Sequence, residues 1–437
     1  MSQSIFLQKA KVPIYSYYIP HSIFFMFDEQ TEKFYAGLLK EHGSPLFLIN
    51  EKKLKESYEN LSAALKEYYP KNLIAYSYKT NYLPAICETL SKFGARAEIV
   101  SGFEYDIAKK IGTEGKNIIW NGPHKTDEDL KNALREKCRL NIDNKEELGR
   151  LEKIAKEMGT VVNIGLRVYS ESNARIFQTW SRFGFCIEDH EAESVVRMTL
   201  RELPHLKICG LHTHLGTNIS HPEIYRSVIQ KLGQFNASVI RKNNISLQYI
   251  DIGGGFPLPS NKPRYLGEWG VPPIGDYVKN IADALSAYFK DELPLLIIEP
   301  GRYLVGDAVK LFATIISQKI KGGEQWVVVN SSISALPRAE YIDYPVAVSQ
   351  KQKSDAGGKI NTVIFGLSCM PNDILGRAQL PALREGDVVE ISGVGAYSIT
   401  SSSQWIALRP AVVFVKENEE TKPISEREAA KDVIFLK

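Results

Sequence analysis

From about residue 70 to residue 301 the chain repeats one hydrophobic pattern: a short apolar or β-branched run, a turn, then an amphipathic stretch. Eight runs carry it. They are LIAYSYK at 73–79, ARAEIVS at 95–101, KNIIWNG at 116–122, CRLNIDN at 138–144, VVNIGLRV at 161–168, KICGLHTHLG at 207–216, LQYIDIGGG at 247–255 and LPLLIIEPG at 293–301. Nearly unbroken apolar runs of this length predict strands buried on both faces, as in a parallel sheet. The stretches between them predict helices. In TDEDLKNALREK at 126–137, Thr126 can cap the first turn, and the acids after it suit the positive end of the helix dipole. In DYVKNIADALSAYFK at 276–290 the apolar positions recur at helical spacing. Eight strand–helix units predict an α/β fold, a (β/α)8 TIM barrel, with a doubly wound open sheet as the rival.

After Arg302 the period changes. KLFATIISQKI, EQWVVVNSSI, KINTVIFG, GDVVEISGV and PAVVFVK are β-rich runs with no sustained helical spacing. They predict a C-terminal β-sandwich or β-barrel domain. The expected division is a barrel over 46–303, with 1–45 and 304–437 forming the mainly β domain. Residues 4–19 are strand-like and would help to complete it. The charged stretch 417–431 reads as solvated surface.

Composition narrows the function. The chain has 437 residues, 44% hydrophobic and 24% charged, and 54 basic side chains against 51 acidic ones leave a net charge of only +3. That balance argues against electrostatic capture of nucleic acid or of an anionic membrane. No apolar run is long enough to cross a bilayer, and the first residues lack the basic-then-apolar layout of a secretory signal. Cys87, Cys138, Cys186, Cys209 and Cys369 show no CxxC spacing and read as free thiols, so a cytoplasmic protein is expected.

In a barrel, chemistry collects where strands end at the C-terminal face. Lys79 closes the first run, where a buried ammonium is costly unless paired. It is either a strand-end lysine reaching solvent or a Schiff-base lysine. His212 and His214 alternate onto one face, which also suits a metal pair, although convincing further ligands are missing. The seventh run ends in Gly253, Gly254 and Gly255, whose amides could cradle an anion. The eighth ends in Glu299-Pro300-Gly301-Arg302. A glycine loop and an arginine after strands seven and eight match the usual phosphate site of a barrel. An amine, a stacking histidine, a carboxylate and a phosphate cradle are the parts that hold pyridoxal 5′-phosphate.

The ordered set GSPLFLINEKKL, YSYKTN, AEIVSGFEYDIA, IIWNGPHKTDEDL, SRFGF, GLHTHLGT, DIGGGFP, EPGRYLV, SCMPND and GVGAY resembles the fold-type III pyridoxal-phosphate decarboxylases, the diaminopimelate and ornithine decarboxylase group. The resemblance implies an alanine-racemase-like barrel, a β domain and a homodimer with shared active sites. It makes Lys79 the cofactor lysine, His214 the residue stacked on the pyridine ring and Glu299 the carboxylate on the ring nitrogen. It assigns Thr217, Gly253, Gly254, Gly255, Gly301 and Arg302 to the phosphate. Tyr397 and Cys369 are expected from the second chain, the tyrosine at the phosphate and the cysteine as proton donor. Glu98 stands where the family has aspartate.

Glu299 favours decarboxylation over racemisation, because family racemases place an arginine there. A metal-dependent hydrolase and a non-catalytic cofactor-binding protein are weaker alternatives. Arg338 matches an arginine that holds a distal carboxylate. Met370 replaces the acid that meets a distal ammonium, and Met370 and Asp373 are placed at the substrate. The arrangement from Cys369 to Gly376 looks like decarboxylases of siderophore and antibiotic pathways. The expected substrate is therefore an L-amino acid with a distal carboxylate or an acyl group. meso-Diaminopimelate, with Glu340 or Asp373 supplying the missing charge, is the alternative.

Overall fold

A computed structural model describes residues 29–171, 182–266, 269–290, 292–350 and 358–433. The strands in chain order are β1 Leu46–Asn50, β2 Asn72–Ser77, β3 Arg96–Ile99, β4 Ile118–Trp120, β5 Arg139–Ile142, β6 Val162–Tyr169, β7 Phe185–Cys186, β8 Leu206–His212, β9 Tyr249–Asp251, β10 Lys262–Pro263 and β11 Leu295–Ile298. Strands β2, β3, β4, β5, β6, β8, β9 and β11 pair in that order, all parallel, and β11 returns to β2. This is the closed eight-stranded barrel, and each strand falls on one of the eight runs, overhanging it by no more than one residue.

Local chemistry sets the helix starts around it. Asn50, Ser101 and Asn144 each accept a backbone N–H at a helix N-terminus. Thr126 and Asp129 form a reciprocal capping box before Asp127–Arg135. Pro84 opens the helix Pro84–Phe93, and Gly94, at φ 110°, ends it where an L side chain would be strained.

The barrel interior changes character along its axis. Near one end sit Leu73, Ala75, Ile119, Cys209, Tyr249 and Ile297, packed as one apolar cluster. Two residues further along the same strands come Ser77, Asn121, Asp251 and Glu299, all buried. The period of two thus continues, but the inward positions turn polar toward the strand C-termini. Each such group needs a partner, since an unpaired buried polar group costs about 1–3 kcal/mol. Nearby, the fully buried Lys125 bonds Glu147 at 2.6 Å and also donates to the carbonyls of Gly122 and Asn141. It ties the ends of β4 and β5 together.

The second sheet contains β12 Val309–Lys321, β13 Glu324–Val329, β15 Val346–Ser349, β16 Ile360–Phe365, β17 Ile374–Leu380, β18 Val388–Ile391, β19 Ala411–Val415 and β20 Thr421–Ser425. The short β14, Ile342–Asp343, pairs instead with β10 on the loop after β9, a separate two-stranded sheet that ties the second domain to the barrel.

Three sequence expectations are corrected here. The segment LFLIN, placed with the barrel, is β1, and it lies between β12 and β19 in the second sheet. The expected boundary at 46 is too early, because the barrel itself starts at Asn72. Residues 29–42, expected in a mainly β segment, form a helix. Its Phe34, Tyr35, Leu38 and Leu39 cover Leu46, Leu48, Phe312 and Val413. The strand-like stretch 4–19 lies outside the described residues. Finally, 417–431 is not only solvated surface, because β20 pairs with β19.

Candidate active site

Lys79 sits on a single 3-10 turn, Tyr78–Thr80, immediately after β2. Its Nζ is hydrogen-bonded to Glu98 at the end of β3. Burial works against the charged amine, but Glu98 and then Glu299 outweigh it, and the amine's pKa is raised. Glu98 also accepts from Ser77 and, at 3.0 Å, from Asn121 on the loop after β4. The same Asn121 nitrogen donates to Glu299 at 2.5 Å.

Glu299 follows β11 and is 3% exposed. Burial alone would raise its pKa, yet His212, at 3.7 Å, and Lys79 hold it below the ordinary range. Asp251 beside it behaves oppositely. Burial first, then the Glu299 charge, push its carboxyl well above the usual value. The pair therefore carries one proton, on Asp251, and Glu299 is the anion. Asp251 is fixed by Gly253 N at 3.0 Å and Asn141 Nδ2 at 3.3 Å.

The two histidines part company. His212 is buried against Glu299 and, with Asp251 and Glu299, forms a cluster whose ligand atoms lie within 4.8 Å of one another. His214 lies against the glycine loop, where its Nδ1 accepts from Gly254 N at 3.2 Å. Burial, helped by Lys79 and Arg167, lowers its pKa to about 3, so the imidazole is neutral and its proton sits on Nε2. The His-x-His pair is not one ligand set.

The glycine loop is shaped by close approach. A Cβ on Gly253 would meet His214 Nδ1 at 2.6 Å, and one on Gly254 would lie 2.3 Å from the Glu299 carbonyl. The cradle is narrower than expected, because the Gly253 amide bonds Asp251 and the Gly254 amide bonds His214. Gly301 approaches Thr80 just as closely, with 2.0 Å from a would-be Cβ to Thr80 Oγ1. Thr217 lies one residue past Gly216, whose carbonyl packs against Gly255. Arg302 is 7% exposed, and its Nε and Nη1 have no hydrogen-bond partner. Buried unpaired guanidinium donors beside a glycine loop fit a phosphate. The Tyr344 hydroxyl is also buried without an acceptor, and burial raises its pKa to about 12, so it remains a donor.

Tyr397 is the clearest correction. It was expected from a second chain, but it reaches its own chain's barrel mouth. Its N–H donates to the Thr80 carbonyl at 2.9 Å, and the Arg302 and Arg338 guanidinium carbons lie 5.5 and 5.3 Å from its ring centre. Gly395 permits this, since a Cβ there would lie 1.8 Å from the Val305 carbonyl. Tyr397 itself has φ 61°, a strained value for a tyrosine.

Arg338 bonds the Tyr341 hydroxyl through Nη1, and its buried Nε has no partner. Cys369 is exposed on the loop before β17, and Met370 is 38% exposed. Asp373 does not serve as a substrate contact in this chain. It is 1% exposed, and its carboxylate accepts from Ile333 N and Ser368 N at 2.8 and 2.9 Å. It holds the Cys369 loop in shape and cannot replace the missing acid.

Sequence reasoning missed Asn121, Asn141, Asp251 and Arg167. Arg167 pairs with Asp143 at 3.2 Å, stacks on Phe183 and faces Glu299 and Glu98. All four lie at inward positions on barrel strands or directly after them, where apolar side chains are the norm.

A family model described as the pyridoxal-binding domain of pyridoxal-dependent decarboxylases matches residues 53–306. Diaminopimelate decarboxylase of Methanocaldococcus jannaschii is 29% identical over 412 residues, covering 91% of this chain and 92% of the relative. That of Aquifex aeolicus is 28% identical over 400 residues, covering 90% and 91%. The crystal structure of diaminopimelate decarboxylase from M. jannaschii superposes with a TM-score of 0.82 at 27% identity, covering 91% of this chain and 92% of that one.

Proposed function

The chain belongs to the pyridoxal-dependent decarboxylases, and from that premise we propose that it removes the α-carboxylate of an L-amino acid whose far end carries a carboxylate or an acyl group and no free ammonium. It is a pyridoxal-phosphate-dependent carbon–carbon lyase. The bound cofactor supplies an electron sink for the charge left on the α-carbon when carbon dioxide departs.

The chain's residues divide the remaining work. Lys79 would hold the cofactor covalently, and Glu98 stands ready to take the proton its amine must lose. Glu299 would pair with the ring nitrogen, and neutral His214 would lie against the ring without adding charge. Arg302, with Gly255, Gly301, Thr217, Tyr344 and Tyr397 around it, would hold the phosphate. Cys369, exposed on its loop, would return a proton to the α-carbon in the site of a second copy. Five free thiols support a reducing, cytoplasmic setting. Among the described residues no helix is long and apolar enough to cross a membrane.

The substrate reading rests on Arg338. Its buried, unpartnered Nε beside Tyr397 and Tyr341 supplies a fixed donor for a carboxylate. Met370 offers a distal ammonium no counter-ion, which supports an acylated or absent amine at that end. The second reading is free meso-diaminopimelate. It is favoured by the names of the curated relatives, and by Glu340, whose carboxylate lies 3.4 Å from Asn372 on the Cys369 loop.

Specificity constants for meso-diaminopimelate, ornithine, glutamate-type amino acids and acylated diamino acids separate the two. Substrates with a distal carboxylate are expected to exceed ornithine by about ten- to a hundredfold, the worth of one charge-assisted bond. Diaminopimelate outrunning every other substrate establishes the second reading, and ornithine leading removes both.

A shared site is tested by mixing chains. Lys79→Ala and Cys369→Ala proteins, each inactive, are expected to regain up to about a quarter of parental activity when refolded together, because random pairing makes half the dimers mixed and each mixed dimer has one intact site. No recovery in verified mixed dimers places both residues in one chain's site.

A further inference from the structure

We propose that Asn121 is a positioning residue that couples the two carboxylates of the site, Glu98 under Lys79 and Glu299 at the cofactor ring. The inference rests on the ring placement proposed above and adds what holds the two acids in register.

One amide nitrogen has two hydrogens, and here each finds a different carboxylate, at 3.0 Å in Glu98 and 2.5 Å in Glu299. The direction of that amide is not free. Asn121 Oδ1 accepts from Asn141 Nδ2 at 2.8 Å, and Asn141 Oδ1 accepts from the Tyr249 hydroxyl at 2.7 Å. The two carboxylates accept, so Asn121 turns its nitrogen to them and its oxygen to Asn141, and the chain runs one way, from Tyr249 through Asn141 and Asn121 to the two acids. Flipping either amide would set oxygen against oxygen.

The barrel is built around this chain. Tyr249 is fully buried, and a Cβ at Gly165 would lie 2.2 Å from its hydroxyl. One at Gly210 would lie 2.2 Å from its ring. Glycine in a barrel strand forgoes packing and costs backbone entropy. Two neighbouring strands accept that loss where the tyrosine lies, and Arg139 stacks on the same ring at 4.2 Å. Behind the amides, Lys125 donates to the carbonyls of Gly122 and Asn141, fixing the backbone on which both asparagines stand.

Other groups face the two acids. Lys79 comes from the turn after β2 and Glu104 from the helix Gly102–Lys110. Arg167 comes from β6 with Asp143 beside it, and Asp251 from β9. His212 and His214 come from β8 and the loop after it, and Tyr397 from the second domain. Among these, Asn121 is the neutral donor that touches both acids. Exchanging it for aspartate removes two hydrogen bonds and adds a third acid between them. Like charges disfavour ionisation, so carboxyl pKa values rise and Glu299 loses its charge at a higher pH.

The test uses the cofactor-loaded enzyme and follows visible absorbance and kcat from pH 4 to 9.5, because Glu299 starts below the ordinary carboxylate range. Asn121→Asp is expected to move the acid limb of kcat up by roughly one pH unit, with a parallel shift in the absorbance titration and KM changed less than about twofold. Tyr249→Phe keeps the ring in its slot and removes the hydrogen bond that Asn141 accepts, loosening the chain behind Asn121, so it is expected to shift both curves the same way by roughly half a unit. It decides alone if Asn121→Asp does not fold. A folded variant with parental cofactor content and parental titration overturns the inference. Glu299→Gln separates this from the reading beneath it. If Glu299→Gln leaves absorbance unchanged, the ring placement fails. If it alters absorbance while Asn121→Asp does not, only the coupling fails.

Discussion

A Lys79→Ala enzyme is expected to lose at least about a thousandfold in kcat, the scale on which loss of a covalent attachment group is felt. The loss has two parts. No other amine among the described residues is paired with Glu98 and Glu299, so nothing replaces the attachment. The substitution also leaves Glu98 without its counter-ion in a buried site, and the remaining acids repel each other more strongly. Lys79→Arg keeps that charge and separates the parts. It is expected to remain as inactive as alanine while folding more stably, as measured by thermal unfolding beside single-turnover assays. If Lys79→Arg turns over near the parental rate, the lysine is only a counter-ion.

Glu299→Gln is expected to lower kcat by about a hundredfold, corresponding to roughly 3 kcal/mol of electrostatic support, with KM nearly unchanged. Glutamine keeps the shape and can still accept from Asn121, so the loss reports charge and not packing. The neighbouring acids sharpen the expectation. Burial first and then the Glu299 charge keep Asp251 protonated, so a neutral residue at 299 removes the second cause and lets the Asp251 pKa fall. Part of the lost charge then reappears about one side chain away. That predicts a milder defect in Glu299→Gln than in a Glu299→Gln/Asp251→Asn double variant, and steady-state kinetics of the three proteins measure it. Equal rates for single and double variants would mean that Asp251 supplies no compensating charge.

The barrel was legible because its strands are short, apolar and regularly spaced, and that spacing survives in all eight. Lys79, Glu299 and Arg302 were legible because charged residues ending apolar runs stand out. Tyr397 was misplaced because nothing in GVGAY says which copy of a barrel it will meet. What decides it is Gly395, which lets the segment press on the same chain's Val305. Asp373 was misread for the opposite reason. An acid four residues from a cysteine looks chemical, yet its oxygens accept from the backbone, one at Ser368 of its own loop and one at Ile333.

The Asn121–Asn141–Tyr249 chain left a fainter trace. KNIIWNG and CRLNIDN each place an asparagine at an inward position. The strands VVNIGLRV and KICGLHTHLG each carry a glycine where a barrel prefers bulk. Glycine in an apolar strand signals close approach by another group, and here that group is a tyrosine. Single-strand patterns cannot pair such signals, because the partners lie on five different strands. The helix Glu29–His42 was missed because its apolar face is only four residues wide and covers a sheet assembled from distant segments.

Lys79 is the proposed attachment point of pyridoxal phosphate. Borohydride treatment of the purified enzyme, followed by digestion and peptide mass mapping, tests this most directly, since reduction fixes the cofactor to its lysine as a stable secondary amine. One modified peptide is expected, bearing the added mass on Lys79 in the YSYKTN segment, and none in the Lys79→Ala protein. A modified peptide that carries the cofactor on any other lysine would contradict this assignment.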